Sequence, residues 1–283
     1  TPALAGLQEG PSMTSAEIPA SGSGPIVERI AAARRTARRL WRLEFALVWL
    51  ALVLGIVWVL AATGNVDLEF VQTWTPFILG GVGFTLLVCV SSIIGAVVLA
   101  LLGALGRLSA NPLINGLASF YVSLVRGTPL LVQIYFVYYG LPQVGVILDA
   151  LPAGILALSF NYGAYMTEIF RAGIQAVPRG QQEAAEALGM PSRLVFRRVI
   201  LPQAFRIVIP AIGNEFIAMI KDSSLVSIIG LQEILWRAGT AGRPILKTIP
   251  AFLIAALFYW VLTIIFSFFQ ERLERRLARS DVR

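Results

Sequence analysis

Residues 183–202 read EAAEALGMPSRLVFRRVILP and stand between long apolar runs. Alanine, glutamate and leucine at 183–188 are strong helix formers. Pro178 and Gly180 break the helix before them, and Gly189 supplies a C-terminal stop. Pro191 and Ser192 restart the chain, with Ser192 as N-cap. The expected product is a short helix, a turn and a second helix running to Pro202. Small side chains at Ala184, Ala185 and Ala187 let another protein approach closely, and Glu183 offers it a charge. A second reading lays the segment on lipid headgroups, with Arg193, Arg197 and Arg198 against phosphate. Composition alone does not separate the two.

The flanking sequence defines the setting. A chain of 283 residues that is 57% hydrophobic and 14% charged, with mean hydropathy +0.76, is too apolar for one soluble core and reads as a polytopic, all-α membrane protein. Its net charge of +7 records which loops face the cytoplasm rather than a nucleic-acid partner. Histidine is absent, which removes His-dependent triads, HExxH zinc sites and histidine proton relays. Cys89, the single cysteine, lies inside an apolar run and reads as a small buried side chain. No metal site and no GxxxxGK[ST] phosphate loop is present in the sequence, so no cofactor is expected on this chain.

A bilayer core of about 30 Å needs roughly 20 apolar residues per helix. Six segments qualify, at about 43–62, 77–103, 113–140, 152–173, 205–228 and 248–270. Residues 229–247 are expected to be a polar connector. Residues 1–42 are expected to be a disordered, basic cytoplasmic N-terminus, its first 24 residues rich in Gly, Ser, Pro and Ala. The first span exceeds a signal peptide's apolar core, so it reads as an uncleaved anchor. With the N-terminus inside, eighteen of the 23 Lys and Arg fall in cytoplasmic segments and four, from Lys221 to Lys247, in an outward one, Arg126 lying within a span. That asymmetry puts both termini, the 174–204 loop and the 273–283 basic tail in the cytoplasm. In the tail, Glu271 and Arg275 are one helical turn apart.

The order Glu183-Ala184-Ala185, three residues, Gly189, nine residues, Val199, one residue, Leu201-Pro202 resembles the EAA loop of the membrane subunits of ATP-binding-cassette importers, with valine where isoleucine is usual. SLVRGTPLLVQIYFVYYGLP (123–142), ALSFNYGAYMTEIFRAGIQAVPRGQ (157–181) and PAIGNEFIAMIKDSSLVSIIGLQEI (210–234) are similar to polar amino-acid importer permeases. The resemblance covers about 75–272, the implied transmembrane domain of a type I importer permease, and leaves out the span at 43–62, an extra N-terminal helix. It implies a plasma (inner) membrane permease. Residues Glu183, Ala184, Ala185, Ala187, Leu188 and Gly189 would form a coupling helix seated in a partner ATPase, where ATP and Mg act. Because one chain offers one such loop, a second permease, identical or sister, is implied. An extracytoplasmic amino-acid-binding protein would deliver substrate.

Polar groups inside hydrocarbon mark a pathway or a helix contact. Asn161 and Tyr165 are four residues apart on one helical face, and Asn214 and Glu215 lie near mid-depth with Gly213 beside them. An amino acid needs acceptors for its ammonium and donors for its carboxylate, which Glu215, Asn161 and Asn214 can supply. Equally, these groups can tie helices together, with Glu215 paired to Arg126. Glu168 is expected to pair with Arg171. Lys221, Asp222 and Ser224, at the outer end of the fifth span, read as a gate or receptor contact, or as helix termination with local charge pairing. Arg126-Gly127-Thr128-Pro129 should kink its helix. From another class, a secondary transporter or channel driven by an ion gradient would work without ATPases and use Glu215 as its ion site.

Overall fold

The computed structural model describes residues 25–62 and 67–278. The disorder expected for 1–24 and the end of the basic tail lie outside the described residues. All regular structure among the described residues is helical, and the chain divides into two units, Thr1–Thr63 and Gly64–Arg283.

The described residues of the first unit form one helix, α1 (Pro25–Ala62). Residues 25–42 are therefore helical, not disordered as expected. Pro25 at the first helical position is pre-set for the helix, and the following run of Ala, Arg and Leu contains no further Pro or Gly until Gly55. Trp41 stacks on Phe45 and Phe45 meets Trp49 at a tilt, at one-turn spacing, with ring centroids 5.3 and 5.9 Å apart.

The second unit opens with α2 (Leu68–Leu79), capped by Asp67, whose side chain accepts from the Phe70 N–H at 2.9 Å. A break at Gly80-Gly81 leads into α3 (Val82–Arg107). Together they form a 40-residue apolar run, so the span expected from 77 begins at Leu68. Next come α4 (Pro112–Arg126) and α5 (Leu130–Tyr135). The kink expected between them is a bend of 106° at Pro129, where a missing N–H and the pyrrolidine ring stop the helix. A π-helical turn (Phe136–Gly140) and a 3₁₀ turn (Leu141–Val144) then lead to α6 (Ala150–Gln175).

The short α7 (Arg179–Ala187) and α8 (Ser192–Val195) follow. After α8 the chain does not stop at Pro202. It passes through a second π-helical turn (Phe196–Ile200) into α9 (Leu201–Asp222), with Pro202 in the first turn, where a proline is tolerated. Ser192 is not the N-cap. It is the first helical residue, while Pro191 occupies the cap position without a side-chain bond. A 3₁₀ segment (Ser223–Ile229), α10 (Ile234–Gly242) and α11 (Thr248–Ala278) complete the unit. The connector expected at 229–247 is thus partly helical, and α11 runs on into the tail, where Arg275 and Glu271 pair at 3.3 Å.

Among the described residues two helices are long and apolar enough to cross a membrane, Leu68–Arg107 and Thr248–Leu277, and the bent α4/α5 pair is a third if it is one span. α6 and α9 have the length, but Asn161, Tyr162, Tyr165 and Thr167 dilute the one, and Gln203, Arg206, Asn214 and Glu215 the other.

The core seam is α3 against α6. Ala96, Ala100 and Ala104 of α3 are fully buried. A Cβ added at Gly103 would stand 2.3 Å from Thr167 Oγ1, and one at Gly95 would stand 2.5 Å from Ser159 Oγ. Close backbone approach of this kind is how membrane helices gain dispersion contacts when lipid offers no hydrophobic drive. Ser159 donates across the seam to the Ser92 carbonyl at 3.1 Å. Cys89 is buried, as expected, with its thiol 3.6 Å from the Met219 carbonyl of α9.

At the other end, α10 closes over the α2/α3 break. Glu233, fully buried, caps α10 by accepting from the Trp236 N–H at 2.8 Å and takes a hydrogen bond from the Tyr259 hydroxyl of α11. Burial pushes this carboxyl above its ordinary value, against the pull of those donors. Arg237 donates to the Phe77 carbonyl at 3.0 Å and lies over the Phe77 ring.

Candidate functional site

The 183–202 segment has a buried side and an exposed one. The left-handed Gly189 (φ +78°) ends α7. Its N–H donates to the Glu186 carbonyl at 2.9 Å, and the Met190 N–H donates to the Ala185 carbonyl at 3.2 Å. This pair of bonds is a Schellman motif and satisfies carbonyls the helix end would orphan. Glu183, Ala184, Ala187 and Leu188 are exposed, and Leu188 is 83% accessible. Ala185 is buried, 5% accessible, so it does not offer its side chain to a partner as expected. Its place is the inner side of α7, which packs on the 196–200 turn. An isolated leucine at this accessibility beside two alanines makes a small apolar knob on a charged rim.

Several of the residues expected to meet a substrate have partners within the protein. Asn161 is buried and donates to Gln133 Oε1 at 3.1 Å. Gln133 in turn donates to the Val125 carbonyl (2.8 Å), the Thr128 hydroxyl (2.9 Å) and the Thr128 carbonyl (3.1 Å). Two of these acceptors are backbone groups at the α4/α5 break, so Gln133 serves carbonyls there and Asn161 holds Gln133 in place. Tyr165, on the same face as expected, is half-exposed with the Arg126 guanidinium 5.2 Å from its ring centroid. Arg126 therefore stacks on Tyr165 and does not pair with Glu215.

Gly213 admits a side chain of the protein itself. A Cβ there would lie 1.6 Å from Gln270 Oε1 of α11, and Gln270 donates to the Pro210 carbonyl at 2.6 Å. Asn214 is exposed. Glu215 is half-buried, with no hydrogen bond or ion pair to another described residue, and lies within electrostatic range of Asp222 and Tyr162.

At the outer end of α9, Asp222 accepts from the Tyr162 hydroxyl at 2.8 Å. Asp222 thus joins α9 to α6, and no ion pair links it to the exposed Lys221 among the described residues. Ser224 is half-buried, its carbonyl accepting from Ser227 Oγ at 2.6 Å. Tyr162, Gln133 and Gln270 were not singled out in the sequence. Tyr162 adjoins Asn161 and Gln133 lies four residues past Pro129, but nothing local reveals partners 60 and 28 residues away.

The apolar cavity beside Gln133, of about 400 Å³, is lined by Leu124, Val132, Phe136, Leu156 and Phe160 with Thr128 and Gln133. Such a lining suits no zwitterion. The other polar cluster is structural: Glu168 pairs with Arg171 at 2.6 Å, as expected, and also with Arg107 at 3.2 Å. Arg107 bonds to Ser119, so the cluster clamps α3, α4 and α6 together.

The described residues of the second unit thus form an all-helical, strongly apolar body with a projecting interhelical knob. The sequence belongs to the binding-protein-dependent transport system inner membrane component family, whose model matches residues 96–279. It is 41% identical over 218 residues to the arginine transport system permease protein ArtQ of Bacillus subtilis, covering 77% of this chain and 100% of that one. Over 209 residues it is 42% identical to the L-cystine transport system permease protein TcyB of the same organism, covering 74% of this chain and 89% of that one. Among solved structures, an amino acid ABC transporter with histidines superposes with a TM-score of 0.71 at 40% identity, over 75% of this chain and 99% of that one. The inward-facing MetNI methionine ABC transporter, at 20% identity and TM-score 0.62 over 71% of this chain and 96% of that one, shares the fold. The protein is a multi-pass inner-membrane permease component with the type I permease fold expected from its sequence.

Proposed function

We propose that this chain is the permease subunit of an ATP-driven importer that moves polar amino acids into the cytoplasm by alternating access. The reading is carried by α7, whose Glu183, Ala184, Ala187 and Leu188 face outward on a stem stapled by the Schellman motif and seated through Ala185. A short helix held this firmly transmits a push without bending. Two partner ATPases, each taking one such knob, bind ATP and Mg and draw together; the knobs follow, and the bundle opens outward. Hydrolysis returns it. One knob per chain calls for a second permease, identical or sister. With six spans and both termini inside, the arrangement the Lys and Arg distribution favours, α7 would lie in the cytoplasm and the Lys221–Lys247 side would face a binding protein, whose docking the exposed Lys221 would assist. The polar amino-acid cargo is supported by relatives named for arginine and L-cystine transport. Glu215, half-buried and without a hydrogen bond or ion pair to another described residue, is the acceptor best placed to meet a substrate ammonium.

The test is uptake into vesicles containing the chain, its ATPase and its binding protein. Labelled polar amino acids should enter only with internal ATP. Leu188→Asp together with Glu183→Lys should leave the chain folded and weaken ATPase association on the order of tenfold or more, the value of one buried leucine. Full-rate uptake by that variant without nucleotide, driven by an ion gradient, would overturn the proposal.

A further inference from the structure

The helix α1 continues eighteen residues before its apolar stretch, from Pro25 to Arg42, a rise of about 27 Å. Six arginines fall between 29 and 42 and no acidic residue lies among them; Glu28 and Glu44 flank the run. Arg39 and Arg42, both exposed, are three residues apart and so share one side of the helix. The basic end of α11 differs, because there Glu271 engages Arg275.

Where these charges sit follows from the aromatic ladder. Trp41, Phe45 and Trp49 adjoin one another where the apolar stretch begins, and Trp41 is 62% accessible. Tryptophan at that junction belongs at headgroup depth. By helical rise, Arg42 and Arg39 then lie within about 10 Å of the hydrocarbon edge, inside the headgroup layer and its first Debye length. A guanidinium fork matches a phosphate oxygen pair better than a point charge does.

We infer that the basic stem of α1 is a binding site for anionic phospholipid of the inner leaflet, with Arg39 and Arg42 on the phosphates. The inference rests on the inward orientation of α1 proposed above. It gives the helix a role the apolar stretch does not need: it keeps negatively charged lipid beside the transporter. Because the interaction is one of charge, it weakens as ionic strength rises.

The full chain, purified in detergent from membranes containing phosphatidylglycerol and a zwitterionic lipid, is tested by mass spectrometry of retained lipid. Phosphatidylglycerol should be enriched, the enrichment should fall with added salt, and R39Q/R42Q should lower it on the order of tenfold or more. R272Q/R276Q, removing charge from α11 instead, should leave it unchanged. Equal enrichment in the α1 variant, or equal loss in the α11 variant, overturns the inference. So does an α1 variant that keeps its lipid but no longer co-purifies with the ATPase, since the stem would then dock protein. Should the α1 variant fail to accumulate, the salt titration of the unaltered chain decides: enrichment insensitive to salt overturns the inference. No arm measures transport, so the importer proposal can fail while this one stands, and the reverse.

Discussion

The α3/α6 seam and α7 are built from the same small residues and use them in opposite ways. On the seam, Ala96, Ala100 and Ala104 are buried, and Gly95 and Gly103 leave room for Ser159 and Thr167 of the facing helix. On α7, Ala184 and Ala187 are exposed and only Ala185 is covered by the chain. In one place small size brings two backbones of the same molecule together. In the other it leaves a surface unclaimed beside an exposed leucine. Small-residue composition therefore specifies close approach, and the topology decides whether the approaching surface is the protein's own.

The sharpest way to break that contrast is to add bulk to the seam. Gly103→Leu must displace Thr167, with even the first added carbon at 2.3 Å from its hydroxyl oxygen. Overpacking at a rigid seam costs about 1–3 kcal/mol or more. We expect a large loss of folded protein in membranes, read as the monodisperse fraction after detergent extraction. Gly103→Leu with Thr167→Ala should recover part of it. On α7 the same added bulk divides by position: Ala184→Leu should keep the fold and impair ATPase binding, whereas Ala185→Leu should unseat α7 from the 196–200 turn and also lower thermal stability in detergent. Equal stability of the two variants would mean that the buried and exposed alanines are not distinct.

A smaller effect is expected at the α4/α5 break. Gln133→Leu keeps the volume and removes the donor that serves the Val125 and Thr128 carbonyls, at about 0.6–2 kcal/mol, the range found for polar contacts between membrane helices. The Arg126–Tyr165 stack still ties α4 to α6, so the variant should fold, with a lower melting temperature in detergent. Asn161→Ala should lower it less, because Gln133 would keep its three acceptors.

These contacts also mark where sequence reading stops. Gly189, the kink at Pro129 and the Glu168–Arg171 pair were legible because their causes are local: a left-handed turn, a missing N–H, a three-residue spacing. The exposed edge of α7 was legible from its spacing, but Ala185 was misplaced, since its cover comes from the 196–200 turn rather than from its own helix. The substrate set was least legible. Asn161 and Gly213 are polar or small for the sake of Gln133 and Gln270, which only the folded topology brings to them. The helix at 25–42 was missed because a run of arginines reads as solvated, although arginine is itself a good helix former.

The smallest effect is expected at an ion pair that is partly open to water. Asp67 caps α2 and meets Lys247 at 3.0 Å, tying the start of α2 to the residue before α11. The Phe70 N–H, and next to it the Lys247 ammonium, hold the Asp67 carboxyl below its ordinary value of 3.8. A carboxyl with a lowered value in the folded state binds fewer protons there than in the unfolded chain. Its contribution to stability is therefore complete above pH 3.8 and fades as the pH falls through the lower folded value. Asp67→Asn keeps a capping oxygen and loses only the charge, so its stability should trail the unaltered protein slightly at neutral pH, with the gap closing in acid. A gap that widened in acid would contradict the assigned direction. Raising the salt concentration at neutral pH should narrow it as well, in contrast to the seam variant, whose defect is steric and should not respond to salt.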